Sequence, residues 1–113
     1  HTFTGIKRWS CIAFFCSFKD GVSCDQRASV LQELANFSQC LTGVLGFDFG
    51  PNRDFEMKSQ NFSDGFVIRF DDQLALKAYL VHPTHQQLGS KLCELCNGGA
   101  GGIMVFDLEI SAN

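Results

Sequence analysis

"DGFVIRFDDQLALKAYLVHPTHQQLGSKLCELC", residues 64–96, changes its hydrophobic period partway along, and the fold follows from that change. Over 64–70 apolar side chains alternate: Phe66, Ile68 and Phe70 share one side with Asp64, and Val67 and Arg69 take the other. A period of two predicts a strand. From Asp71 to Val81 the spacing becomes helical, opened by an acidic first turn that suits the positive end of a helix. Pro83 interrupts that pattern and can begin a further helix, "THQQLGSKLCELC", over 84–96.

Upstream, "TGVLGFDFGPN" (42–52) reads as a strand with Leu45, Phe47 and Phe49 on one face and Val44, Gly46 and Asp48 on the other. Gly50 and Pro51 stop it. "WSCIAFFCSF" (9–18) is another strand, and both of its alternating faces are apolar, which predicts burial on both sides. Between these two, Ser23 followed by Gln26 makes a capping box for a helix over about 24–39, with Leu31, Leu34 and Ala35 inward. Downstream, "GIMVFDLEI" (102–110) is a fourth strand with Met104, Phe106, Leu108 and Ile110 facing one way.

The order β-α-β-β-α-β predicts an α+β, ferredoxin-like fold whose second helical region is split at Pro83. Helices cover one face of the sheet. The other face is expected to carry Ala13, Phe15, Val67, Ile103 and Val105 among Arg69 and Asp107. A patch of that size rarely stays exposed. Two copies packed sheet on sheet bury it, which predicts a homodimeric α/β barrel. All of 1–113 reads as one domain, with a core over about 9–110.

Composition narrows the function classes. Apolar residues make up 45% of the 113-residue chain and twelve are phenylalanine, which fits a packed globule and excludes a disordered chain. Nine Lys and Arg are scattered, net charge is −3, and no basic stripe appears, so no nucleic-acid partner is expected. The longest apolar run, "CIAFFC", is far too short to span a membrane, and no secretory leader pattern is read. The regular hydrophobic pattern needs no staples, so the six cysteines are expected as free thiols in a reducing cytoplasm. "CELC" (93–96) ends a helix and lacks two further ligands at suitable spacing, so no metal is expected. "NGGAGG" (97–102) follows a helix and precedes a strand, the reverse of the phosphate-binding order. No cofactor is expected.

Leu88, Leu92 and Leu95 follow His85 at three, seven and ten residues, so His85 shares their inward face. Tyr79 lies on the apolar side of its own helix, and Asp64 points toward the helices by strand parity. One reading makes these a core tyrosine and a satisfied core histidine. The other places them in a ligand pocket, with Phe14, Phe66, Ile68 and Leu88 as apolar contacts and His85 titrating near neutrality. His82, ahead of Pro83, is assigned to the helix joint.

"FKDGVS" (18–23), "FGPN" (49–52), "AYLVHPTHQQL" (78–88) and "VFDLE" (105–109) together resemble the stress-responsive dimeric α/β-barrel family over residues 9–110. The resemblance implies a homodimeric ferredoxin-like barrel; many members have no assigned reaction, and some plant members are stress-induced. Read as a binding module, the barrel is expected to hold a small, largely apolar or aromatic molecule between sheet and helices. One plant relative, olivetolic acid cyclase, closes a polyketide by an aldol step with a tyrosine and a histidine that correspond to Tyr79 and His85. A histidine of that enzyme's third strand falls at Asp64, and one carried by many members in the first strand falls at Ile12. The alternative function is therefore a cofactor-free cyclase in which Asp64 orients His85, Tyr79 anchors a carbonyl, and His85 removes the neighbouring proton. A cofactor-free monooxygenase on a similar barrel is a third reading.

Overall fold

A computed structural model describes residues 8–111. Strand β1, Arg8–Cys16, lies between β3 (Asp64–Phe70) and β4 (Ile103–Ser111), with β2 (Val44–Pro51) outside β3, giving the sheet order β2-β3-β1-β4. Each neighbouring pair is antiparallel. The helices α1 (Cys24–Gln39), α2 (Gln73–Val81) and α3 (Pro83–Glu94) pack on one face of the sheet. This is the ferredoxin-like arrangement expected.

Helix boundaries follow from local hydrogen bonding. Ser23 Oγ accepts from the Gln26 N–H at 3.1 Å while the Gln26 side chain accepts from the Ser23 N–H at 2.8 Å, completing the capping box of α1. The acidic residues before α2 act differently from the first-turn role expected. The helix begins at Gln73, and Asp72 is its N-cap, accepting from the Ala75 N–H at 2.9 Å.

Strand parity departs from the sequence reading in two places. A bulge between Val44 and Gly46 leaves Leu45 unpaired and 51% exposed, while Val44 packs on the core. An extra residue reverses the alternation beyond it, so Val44 joins Phe47 and Phe49 on the helix side. In β4 the register sets Val105 opposite Phe14 and Phe106 opposite Ala13. Ile103, Val105 and Asp107 therefore face the helices, and Met104, Phe106 and Leu108 the open face. Both sets of β4 are apolar enough that alternation alone does not choose between them.

The corrected open face is more apolar than expected. Phe15, Val67, Met104, Phe106 and Leu108 are each between 36% and 46% exposed. The core on the opposite side centres on Ile12, Leu31, Leu34, Phe66, Ile68 and Phe70.

Gly43, in the turn from α1 to β2, has φ of +89°, and a Cβ there would meet the Ala75 side chain at 2.6 Å. Gly21 has open space around it. Gly43→Ala is expected to cost about 2–4 kcal/mol through backbone strain and overpacking, and Gly21→Ala close to zero. Urea denaturation of the two variants checks the difference; equal losses would refute the close approach.

Candidate functional site

His82 closes α2 and opens α3. Its backbone is extended (ψ 129°), its Nδ1 accepts from the Thr84 N–H at 3.1 Å, and Pro83 follows at the first helical position. The imidazole also meets the Phe37 ring edge-on, with centroids 4.8 Å apart. His82 thus spends its acceptor on the joint.

From that joint α3 runs back over the sheet and turns His85, Gly89, Leu92 and Cys93 toward β1, β3 and β4. These residues, with Leu34 of α1, close one side of an apolar cavity of about 240 Å³. The other side is strand surface, chiefly Phe14, Phe66 and Val105. Phe14 and Phe66 stack at 4.3 Å and 13°, presenting a flat wall. Gly89 contributes no side chain, and a Cβ there would meet nothing within 4 Å.

His85 is the titratable imidazole at this cavity. Burial, with a smaller contribution from His82, lowers its pKa below the ordinary 6.5, so the ring is neutral at neutral pH. Its Nδ1 is buried without a hydrogen-bond partner.

Tyr79 packs against the His85 ring at a centroid distance of 4.3 Å, and so far the pairing read from the sequence is present. Its hydroxyl goes elsewhere. Tyr79 and Ser38 share a hydrogen bond of 2.9 Å, both side chains are buried, and Tyr79 does not border the cavity. Burial raises the phenol pKa, against a smaller opposing effect of Ser38, so it stays protonated. Tyr79 backs His85 and is not placed to anchor a molecule beside it. Ser38 was not singled out from the sequence, where a serine late in a helix carries no such signal.

Asp64 is also displaced from its expected partner. Its parity is as read, but it starts β3, opposite Cys16 and beyond the cavity wall formed by Phe66. There the guanidinium of Arg27, from the first turns of α1, lies 3.8 Å from the buried carboxylate. Asp64 makes no hydrogen bond to His85, so the expected dyad is not assembled. Of the expected apolar contacts, Phe14 and Phe66 line the cavity, whereas Ile68 and Leu88 pack in and against the core. The sequence reading missed Gly89, Cys93 and Val105. The first two follow His85 at four and eight residues, a helical spacing that leucines alone obscure.

The "CELC" cysteines diverge. Cys93 is half-buried at the cavity, while Cys96 is fully buried next to Cys16. Interaction with Cys96 and burial push the Cys16 thiol well above its usual range. All six cysteines are unpaired. Among the described residues no group of three or more His, Cys, Asp or Glu side chains is arranged to hold a metal ion, and no helix is long and apolar enough to cross a membrane.

Comparison with known proteins agrees with this architecture. The stress-response A/B barrel domain-containing protein HS1 of Arabidopsis thaliana is 27% identical over 93 residues, 82% of each chain. A dimeric ferredoxin-like protein of unknown function from Jannaschia sp. CCS1 superposes with a TM-score of 0.82 at 38% identity, covering 90% of this chain and 99% of that one. Hydroxynitrile lyase from Passiflora edulis superposes at 0.74 over 95% of both chains, but at 11% identity the likeness is of fold alone. The stress responsive A/B barrel domain itself matches residues 13–110, and the chain belongs to that family.

Proposed function

We propose that this protein is a homodimeric stress-response barrel that holds one small, largely apolar molecule between sheet and helices, with His85 as its polar contact. The observation that carries the reading is the cavity of about 240 Å³ walled by the Phe14–Phe66 stack. A dry cavity of about 150 Å³ accommodates benzene, so a singly substituted ring suits this volume.

The chemistry of His85 narrows the ligand. A buried N–H without a partner is rarer and costlier than an unpaired acceptor. With Nδ1 sealed and unpartnered, the proton of the neutral ring belongs on Nε2. His85 then donates a hydrogen bond, and the matching ligand offers an acceptor such as a carbonyl oxygen. An aldol-type reaction would instead ask His85 for basicity, and would need an anchor that the Tyr79 hydroxyl, bonded to Ser38, does not supply. Binding is therefore put ahead of catalysis. The unpaired cysteines fit a reducing, cytoplasmic setting.

Acetophenone, an aromatic ketone of suitable size, is expected to raise the melting temperature of the wild type. His85→Phe should weaken its binding about tenfold or more, through loss of one hydrogen bond to a buried donor. Gly89→Leu, which projects a side chain into open space, should abolish binding while leaving the fold intact. Unchanged binding in Gly89→Leu would place the ligand elsewhere.

Stability should also carry a histidine signature. Because the folded-state pKa of His85 is depressed, the unfolded chain takes up its proton first as pH falls. The neutral imidazole therefore contributes fully above the ordinary 6.5, and that contribution is lost progressively as pH falls below it. Thermal melting across this window should show the loss in wild type, with a shallower dependence in His85→Phe.

The dimer reading rests on the apolar open face and on the dimeric Jannaschia protein of similar sequence. Light scattering should give about twice the 12.5 kDa chain mass. Val67→Asp should shift the population toward monomer, since it would bury an unpaired charge; a monomeric wild type at micromolar concentration would overturn the assembly.

A further inference from the structure

The connection from β2 to β3, residues 52–63, far exceeds the roughly two to five residues of an ordinary hairpin loop. It is nevertheless tightly built. Asn52 donates through its side chain to Ser59 Oγ at 2.6 Å and to the Phe62 carbonyl at 2.8 Å, and its backbone N–H reaches the Ser63 carbonyl at 2.7 Å. Asp54 accepts from the Lys58 and Ser59 N–H groups at 3.1 and 3.2 Å. Three non-glycine residues, Asp54, Met57 and Gln60, hold φ values of +48°, +57° and +54°. Side chains resist that conformation, and the network holds it.

This fixed loop turns apolar side chains outward. Phe55 is 89% exposed and Met57 85%, above every other large apolar residue described. Neither folds back onto the protein's own core. The loop also stands on the open side of the sheet. Lys58, Ser59 and Phe62 form one wall of a cleft of about 560 Å³ whose other wall is Phe15, Met104 and Phe106. The apolar face is therefore continuous with the loop that rises beside it.

We propose that residues 52–63 form a clasp for a second copy of this chain, with Phe55 and Met57 burying against the partner subunit when its sheet covers the open face. The proposal rests on the homodimer reading above. Continuity with the open face points to a second copy, and two-fold symmetry makes the clasp contact twice, once from each subunit. Charge points the same way: Arg53 and Lys58 balance Asp54 and Glu56, so the tip carries no net charge to draw a nucleic acid or an anionic surface.

Sedimentation equilibrium on the full chain tests the clasp with three variants. The double variant Phe55→Ser, Met57→Ser is expected to keep the wild-type circular dichroism and to raise the dimer dissociation constant at least about tenfold. Leu74→Ser with Val81→Ser, two exposed apolar residues on α2, should leave dimerisation unchanged. Val67→Asp reports on the sheet face separately. If the clasp variant associates like wild type while Val67→Asp dissociates, the face interface stands and the clasp is wrong. Equal weakening by the α2 variant also overturns it, and a monomeric wild type overturns the dimer reading and the clasp together.

Discussion

Ile12 and Ile68 face each other across the ladder between β1 and β3, and neither has any exposed surface. β1 is hydrogen-bonded along both edges, to β3 and β4, and lies beneath the helices on one side. A strand so enclosed on three sides satisfies its backbone only through its neighbours, and above it Ile12, Phe14 and Cys16 face the core. Below, Ala13 and Phe15 emerge with the companion residues of β3 and β4. The pairing that builds the core thus also generates the open face.

Where the sequence carried a local chemical signal, the fold was legible. Ser23 and Gln26 marked the start of α1 because a capping box is a contact between near neighbours, and Pro83 marked the helix joint for a similar reason. Parity was harder. The bulge at Leu45 depends on how β2 meets β3, and nothing within "TGVLGFDFGPN" announces an extra residue. In β4 every position from Ile103 to Leu108 except Asp107 is apolar, so register against β1 had to assign the faces.

The site was legible in direction and not in depth. Helical spacing put Tyr79 and His85 inward, and they touch. The destination of the Tyr79 hydroxyl depended on Ser38, far away in sequence on another helix. Strand parity gave Asp64 the correct face but not its distance along the strand, and Arg27 sits where Asp64 ends. Side-chain direction follows from local periodicity, whereas a partner across the interior follows from packing between elements.

The helix joint leaves no slack between α2 and α3, since His82 is at once the residue after Val81 and the cap before Pro83. An α-helix rotates by about 100° per residue. One residue inserted or removed at this point would therefore turn all of α3 about its axis, swinging Gly89 and Cys93 away from the strands together with His85. Tolerance to length change should consequently differ sharply along the chain, with the joint acting as the phase reference for one whole wall of the cavity.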